Sequence, residues 1–488
     1  MAALRSCMTL CTSKDSSSQT NPLLVLPSNP RGEIVMTKTT RRDFLQKASF
    51  VTAGGLLAAC AAPMAPAAEG DGEMAVSQEM LELRVGSIAG IVTEGLQAQA
   101  DLYMEENPHI SVTIDVLADE QYQQAFLLFS SDDTPDVSWF QCVPANRFND
   151  MVTSQILVPF DDLYEQEGWF DAYPEGIVDF QRQPDGHFYS ATSSVVWTPY
   201  TYYNKEIFDE IGATPPETWD DLYEMSAEFR AAGYQPLAVD YNMGIQSHFS
   251  DGMQLRSWSR DQYNCMPILW RGDRPADCNE YSWTDPDSIR IYEYIQAMVD
   301  NGVFVDGVTG LTDYQNGRSL FTTGKTAMWQ TGSWDGGSAG LTRDVEFEVG
   351  YFYYPEIRPE RTGKVGAWVP DGLIVPKSGS NIEAALEFVA WAYRLPQASL
   401  YAQTAGIPHG RADIPAEVYA EILSEMQLAF LEDNNKYGTP ALFEASSSQP
   451  YQQATVKSVD QMMAGGLTPE EAGAWMQEKT VEIQAEQS

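Results

Sequence analysis

Apolar and polar residues alternate strictly at two places near the start of the folded part of the chain. Leu81-Glu-Leu-Arg-Val85 and Ile110-Ser-Val-Thr-Ile-Asp-Val116 both show the two-residue period of a β-strand. Between them, residues 94–106 place apolar and small side chains at helical spacing, and Asn107-Pro108 marks the end of that helix. The folded part therefore opens strand–helix–strand, which predicts an α/β sheet.

Later helices are predicted from their first and last residues. Thr218-Trp-Asp-Asp221 and Thr468-Pro-Glu-Glu471 predict capping boxes, in which each end of the motif bonds the backbone N–H of the other. Asp285-Pro286 predicts an N-cap followed by a first-turn proline, and Gly233 and Gly302 are placed as helix stops. With 488 residues, 43% of them hydrophobic, the chain is long enough to build a sizeable core around these elements.

The N-terminal region is predicted to carry an export signal. Arg41-Arg42, followed by Phe44-Leu45, resembles a twin-arginine export motif. The apolar run over residues 48–59 is too short to span a bilayer, which takes about 20 helical residues. Its end, Leu57-Ala-Ala-Cys60, resembles a lipobox. We predict a dispensable or mis-assigned extension over residues 1–35, a lipoprotein signal peptide over 36–60 with lipid on Cys60, and a flexible tether over 61–79.

Charge excludes two classes of partner. The chain has 29 basic and 69 acidic residues, a formal net charge of −40. Such a protein repels nucleic acid and anionic lipid, so neither is expected as a partner. The acidity is spread along the chain and aromatics make up 11% of it, which favours a folded protein over a disordered one.

The cysteines predict one disulfide bond and no metal site. Cys265 and Cys278 flank a short segment, and in an exported protein this arrangement predicts a disulfide that closes a loop. The cysteine and histidine spacings match no zinc motif, and the chain has no P-loop or dinucleotide-binding fingerprint. We expect neither metal nor cofactor.

Several motifs occur in the order typical of one protein family. Asp185-Gly-His-Phe-Tyr189, Thr201-Tyr-Tyr-Asn-Lys-Glu-Ile-Phe208 and Pro215-Pro-Glu-Thr-Trp-Asp-Asp-Leu222 resemble the signature stretch of bacterial extracellular solute-binding proteins of the carbohydrate importer class, to which the maltose-binding protein belongs. Four further segments agree with that family in order and cover most of the rest: 134–137, 321–334, 383–408 and 465–472.

The resemblance implies a two-lobed periplasmic-binding-protein fold with the ligand in a cleft between α/β lobes. The chain is expected to cross between lobes near Tyr189–Tyr203 and Gly366–Val375, and hinge closure is the expected motion. It further implies a monomer without catalytic residues. Together with the export motif and the lipobox at Cys60, it predicts a protein that is exported and lipid-anchored at the outer face of the cytoplasmic membrane, in the periplasm or at the cell surface. There it delivers a sugar or oligosaccharide to an ABC permease. The implied lobes are residues 80–192 with 372–412, and residues 193–371 with 413–488.

Sugar binding needs flat aromatic side chains to stack on the ring and polar groups to bond its hydroxyls. The competing interpretation is packing, since most tryptophans are buried in cores and most carboxylates face water. The family positions and this chemistry together predict the following ligand-binding residues: Trp139, Phe140, Trp197, Trp334, Asp335, Trp368, Asp371 and Tyr451.

Two other functions remain open from sequence. A receptor for a polyol, a glycerol phosphate or a peptide would share the fold, and Arg256 and Arg411 are candidates for a local basic patch that binds an anion. An exported carbohydrate-active enzyme needs only two carboxylates at a set separation, and the acidic residues offer many such pairs. Such an enzyme would convert its sugar, whereas a binding protein returns it intact.

Overall fold

A computed structural model describes residues 80–117, 134–140, 147–198, 200–241, 250–266, 278, 280–311, 313–337, 339–358, 367–429 and 447–487. The predicted N-terminal extension, signal peptide, lipidated Cys60 and tether lie outside these residues. Within the described residues, no helix combines the length and the apolar character needed to cross a membrane.

The strands form two separate sheets. Sheet 1 has the order β2-β1-β3-β9-β4 and sheet 2 the order β6-β7-β5-β8. The strands are β1 (Leu81–Ile88), β2 (Ile110–Leu117), β3 (Val137–Phe140), β4 (Ala191–Thr198), β5 (Tyr200–Asn204), β6 (Gln235–Val239), β7 (Thr326–Thr331), β8 (Val349–Phe352) and β9 (Ala367–Ile374).

Helices cover both sheets. In chain order they are α1 (Ile91–Glu106), α2 (Arg147–Thr153), α3 (Asp161–Gln166), α4 (Trp169–Ala172), α5 (Glu175–Gln181), α6 (Lys205–Ile211), α7 (Trp219–Ala232), α8 (Ser250–Ser257), α9 (Arg260–Cys265), α10 (Pro286–Asp300), α11 (Tyr314–Thr322), α12 (Leu341–Asp344), α13 (Ile382–Ala392), α14 (Leu395–Ala405), α15 (Ala416–Ile422), α16 (Gln449–Met463) and α17 (Pro469–Gln487). Short 3₁₀ turns lie at Val308–Gly310 and Ser333–Gly336.

Sheet 1 begins with the unit that the alternating pattern predicts. β1 and β2 pair in parallel from Leu81–Ile110 to Ile88–Leu117, and α1 connects them. β9 runs antiparallel to both β3 and β4. Apolar residues between 83 and 196 and between 373 and 407 form core 1 around this sheet. We call sheet 1 and core 1 together lobe 1.

Sheet 2 supports a second core. β5 runs antiparallel to β7 and β8, and β6 runs parallel to β7. Apolar residues between 200 and 354 and between 451 and 483 form core 2, and sheet 2 with core 2 is lobe 2. The two sheets with their helices confirm the predicted α/β class.

The predicted helix ends are confirmed where local chemistry sets them. Thr218 and Asp221 form the reciprocal capping box of α7, and Gly233 ends that helix in the left-handed conformation at φ 94°. Thr468 and Glu471 bond each other's backbone N–H groups in the same way before α17. These positions depend on a few neighbouring residues, which is why sequence alone locates them.

The chain changes sheets between β4 and β5. β4 pairs with β9 along its length, from Ala191–Leu373 to Thr198–Ala367, and Tyr200 already belongs to sheet 2. The predicted lobe boundaries at 192/193 and 371/372 therefore fall inside strands of sheet 1.

Helix α15 packs against lobe 1, although the predicted second lobe resumes at residue 413. Ile422 at its end and the following Leu423 pack on Ala402 of α14. α14 in turn packs on α1, where Tyr401 lies against Gly95. Residues 416–423 thus pack on a helix of lobe 1.

A disulfide bond joins Cys265 and Cys278, the pairing predicted from sequence. Their Cα atoms are 4.9 Å apart, and both residues are buried. The bond fixes the end of α9 to residue 278 in lobe 2.

Candidate functional site

Trp334 lies where the two lobes adjoin. It belongs to the 3₁₀ turn Ser333–Gly336, which follows β7 of lobe 2. Its partly buried side chain nevertheless packs against core 1. An aromatic ring of one lobe is therefore placed at the surface of the other, as expected for a residue lining a cleft between lobes.

Gly332 sets the space for this ring. A Cβ atom added at Gly332 would lie 2.1 Å from Cζ3 of Trp334, far inside contact distance. The indole therefore lies across the glycine backbone. Any larger residue at position 332 would force the ring to move.

A buried polar group holds the indole nitrogen. Nε1 of Trp334 donates to Oη of Tyr314 over 3.1 Å, and that hydroxyl donates to Oδ2 of Asp335 over 2.5 Å. Asp335 also accepts from Nε1 of Trp329 at 2.9 Å and from Nε of Arg318 at 3.1 Å. Burial, together with the negative charge of Asp335, raises the pKa of Tyr314 well above its usual value. Asp335 is 4% exposed and accepts from three protein donors.

Asp371 lies on β9 of lobe 1, opposite Ser194 of β4. Its Oδ2 atom accepts from Oγ of Ser194 over 3.0 Å, and its backbone oxygen accepts from Oγ of Ser193 over 3.1 Å. It is 5% exposed. Burial raises the pKa of Tyr401, and the charge of Asp371 contributes in the same direction.

Trp139 and Phe140 lie in core 1. They stand on β3 opposite Leu373 and Gly372 of β9, and they are 3% and 8% exposed. Phe140 also contacts Phe148, with 6.2 Å between ring centroids. Both aromatics occupy the interior of lobe 1.

Trp197 and Trp368 are brought together by the strand register. They are direct partners in the antiparallel pair of β4 and β9. The structure describes only their backbones, so their predicted contact with ligand remains a prediction.

Tyr451 lies inside core 2 and has no exposed surface. Its hydroxyl accepts from Nε1 of Trp283 over 2.7 Å and donates to the backbone oxygen of Met266 over 2.6 Å. This is the position of a packing residue, and the geometry gives no support to the predicted ligand contact.

Two sets of contacts between the lobes have no signal in the sequence. In the first, Nη1 of Arg343 in lobe 2 is 2.8 Å from Oε2 of Glu94 in α1 of lobe 1. In the second, Nε2 of Gln427 donates to the backbone oxygens of Ser333 in lobe 2 and Gly406 in lobe 1, at 3.1 Å and 3.3 Å. The first pair is about half exposed, whereas Gln427 is 3% exposed.

The arginines considered for an anion site have partners within the chain. Arg256 is fully buried and donates to the backbone oxygens of Tyr354 and Gly252, at 3.0 Å and 2.7 Å. Burial lowers its pKa to about 10. Arg411 bonds both carboxylate oxygens of Asp413, at 2.8 Å and 2.7 Å. Both side chains are therefore engaged in holding the fold.

A sequence model of the family described as bacterial extracellular solute-binding protein matches residues 89–398, more than half of the chain. The chain belongs to this family.

Curated relatives of this solute-binding protein include two with stated ligands. It is 26% identical over 234 residues to the sn-glycerol-3-phosphate-binding periplasmic protein UgpB of Brucella abortus (strain 2308), which covers 46% of this chain and 51% of UgpB. It is 26% identical over 175 residues to the multiple sugar-binding protein of Streptococcus mutans serotype c (strain ATCC 700610 / UA159), covering 34% of this chain and 38% of that one. The chain thus matches about half the length of UgpB.

The solute-binding protein also resembles a solved receptor. A crystal structure of the bacterial solute receptor AcbH, described as having an exclusive substrate preference for β-D-galactopyranose, superposes with a TM-score of 0.68 at 16% identity. The match covers 83% of this chain and 100% of AcbH. It confirms the predicted two-lobed fold.

Proposed function

We propose that this protein is the extracellular receptor of an ABC importer, and that it captures a neutral sugar or oligosaccharide and delivers it to the permease. The observation that carries the proposal is Trp334. Its indole lies at the boundary of the two lobes, partly exposed, and its nitrogen is bonded to Tyr314. A flat ring held at such a boundary offers its face to a sugar, as stacking requires.

The relatives support a sugar as the ligand class. The Streptococcus mutans relative is named a multiple sugar-binding protein, and AcbH is described by its preference for β-D-galactopyranose. A relative in sequence and a relative in fold are therefore both described by a carbohydrate ligand.

A glycerol phosphate is the second candidate, because UgpB is named for binding sn-glycerol 3-phosphate. Two features favour a neutral ligand over this one. The chain carries a formal net charge of −40, which disfavours an approaching phosphate. Arg256 and Arg411, the candidates for a basic patch, are engaged with partners inside the chain.

Several finer features belong to the same proposal. Export depends on the predicted twin-arginine signal, and a lipid on Cys60 holds the receptor at the outer face of the cytoplasmic membrane. The tether over residues 61–79 lets the lobes reach the permease. The protein works as a monomer and returns its ligand chemically unchanged. Trp334 is the ligand contact that the geometry supports best, with Trp197, Trp368 and Asp371 on the crossing strands as further candidates.

A thermal-unfolding panel tests the proposal. The melting temperature is measured with monosaccharides, oligosaccharides, polyols, sn-glycerol 3-phosphate and peptides, and each ligand is analysed afterwards. A ligand at 100 times its Kd stabilises the folded state by about 2.7 kcal/mol, which raises the melting temperature measurably. A shift with one group of sugars, recovered intact, supports the proposal. A shift only with sn-glycerol 3-phosphate or peptides removes the sugar, and conversion of a sugar indicates an enzyme.

A further inference from the structure

We propose that Tyr314, Asp335 and Arg318 are positioning residues that fix the plane of the Trp334 indole for stacking on the ligand. The inference rests on the proposed function, in which Trp334 meets a sugar. It assigns Asp335 a role different from direct ligand contact. None of these three side chains has to touch the ligand.

A short turn alone does not hold a large ring in one orientation. Trp334 belongs to the 3₁₀ turn Ser333–Gly336, a segment too short to supply neighbours on all sides. The ring packs against core 1, and two further contacts restrict it. The backbone of Gly332 lies directly under the ring, and Tyr314 accepts a hydrogen bond from Nε1.

The bond from Trp334 has a fixed direction because its acceptor, Tyr314, is itself bonded to a carboxylate. A tyrosine hydroxyl has one proton to donate and lone pairs with which to accept. Tyr314 donates its proton to Oδ2 of Asp335, which leaves a lone pair for the indole N–H of Trp334. The bond to a carboxylate is charge-assisted, so it orders the hydroxyl more firmly than a neutral acceptor would.

Asp335 is itself fixed by two further donors. Nε1 of Trp329 bonds the same oxygen as Tyr314, and Nε of Arg318 bonds the other oxygen. Arg318 is held in turn by Asp344, whose Oδ2 lies 2.7 Å from Nη2. The carboxylate is 4% exposed and therefore has little surface to offer to a ligand.

These contacts order the Trp334 side chain before the ligand binds. Ordering a large side chain during binding costs affinity, and a side chain that is already ordered avoids this cost. Both anchors of Trp334, the bond from its nitrogen to Tyr314 and the contact with Gly332, come from the protein itself. A loss of the anchor should therefore weaken sugar binding without removing any atom that touches the sugar.

The test uses Tyr314→Phe in the full chain, with two measurements. One is the Kd for the sugar found in the thermal panel. The other is the ¹⁵N–¹H resonance of the Trp334 indole without sugar, assigned by its absence in Trp334→Phe. We expect the resonance to shift and its hydrogen exchange to quicken, because the N–H loses its acceptor. We expect the Kd to rise about two- to tenfold, which corresponds to the cost of ordering one large side chain during binding.

Tyr292→Phe is the matched control. Tyr292 is a buried tyrosine of core 2 whose hydroxyl bonds Oγ of Ser458 over 2.8 Å, and the variant should change neither reading. An unmoved indole resonance in Tyr314→Phe, with unchanged Kd, would overturn the inference. It is also overturned if Asp335→Asn abolishes binding while the indole resonance stays in place, because Asp335 would then contact the sugar directly.

The two proposals fail in different ways. If the wild-type protein binds no sugar of the panel, the proposed function fails. The indole resonance, which needs no sugar, still shows whether Tyr314 holds Trp334.

Discussion

The same chemistry predicted ligand contact for an aromatic of lobe 2, Trp334, and for two aromatics of lobe 1, Trp139 and Phe140. In the structure, these aromatics lie in different surroundings. Trp139 and Phe140 stand within β3, all four residues of which are buried. Trp334 stands on a turn beyond the end of β7, partly exposed at the lobe boundary.

The difference arises from where each aromatic lies relative to its strand. A strand inside an α/β sheet is covered on both faces, so its aromatic side chains pack into the core. A residue beyond the end of the strand leaves that cover and reaches the edge of the sheet, where ligands of open α/β folds bind. The proposed function accordingly assigns ligand contact to the aromatic that follows a strand and packing to the two aromatics within one.

Truncation of Trp139 in lobe 1 should have the largest effect of the variants considered, and the effect should be on stability. Trp139→Ala should lower the free energy of unfolding by about 3–5 kcal/mol, the cost of removing a large buried side chain. Urea unfolding followed by circular dichroism measures this. If the variant keeps wild-type stability and loses sugar affinity, Trp139 is a ligand contact and the distinction between the two sites fails.

The free energy of unfolding should also depend on pH, because lobe 1 contains the buried His409. Burial, with a contribution from the charge of Arg411, lowers the pKa of His409 from 6.5 to about 3. Between pH 6.5 and 3, the unfolded chain therefore binds a proton at His409 that the folded chain does not bind. The stability that comes from keeping His409 neutral is fully present above pH 6.5 and is lost as the pH falls. Between pH 7 and 5 the loss from this one group is about 2 kcal/mol.

His409→Gln provides the comparison, because it removes the titrating group. Unfolding by urea at several pH values should show a smaller slope below pH 6.5 in the variant than in the wild type. Equal slopes would mean that His409 does not stay neutral in the fold. Sugar affinity, measured in the same variant at pH 7, should be unchanged.

Trp334→Ala should mainly lower sugar affinity, whereas Trp139→Ala should mainly lower stability. We expect a loss of about 1–3 kcal/mol in sugar binding, the range for a buried aromatic at the centre of an interface. The free energy of unfolding should change less than in Trp139→Ala. Fluorescence titration and urea unfolding of both variants side by side measure the two quantities, and unchanged affinity would remove Trp334 from the site.

The ion pair between the lobes should have the smallest effect. Glu94 and Arg343 are 43% and 45% exposed, so their bond contributes about 0.2–1 kcal/mol at most. Glu94→Gln should weaken sugar binding slightly at low salt and not at all at 1 M salt, where exposed charges are screened. Restoration of affinity by the exchange Glu94→Arg with Arg343→Glu would show that the pair acts across the lobes. A salt-independent loss would contradict this.

The structural features that depend on residues close together in sequence were predicted. The opening strand–helix–strand unit, the capping boxes at Thr218 and Thr468, and the pairing of Cys265 with Cys278 all come from short patterns, and the structure contains them. The family motifs predicted the two-lobed fold as well.

The features that depend on contacts between residues far apart in sequence could not be predicted. Glu94 and Arg343 are 249 positions apart, and no local pattern links them. The three donors around Asp335 come from α11 and β7, so its carboxylate looked available in sequence. The register of β4 on β9 likewise depends on contacts between distant segments, and it keeps both strands in sheet 1.

Titration calorimetry with neutral sugars and with sn-glycerol 3-phosphate, followed by chemical analysis of the recovered ligand, tests the central claim most directly. We predict saturable binding of a neutral sugar that is recovered intact, with no heat from sn-glycerol 3-phosphate. Binding of the phosphate alone, or recovery of a cleaved sugar, would contradict the account of this protein as a sugar receptor.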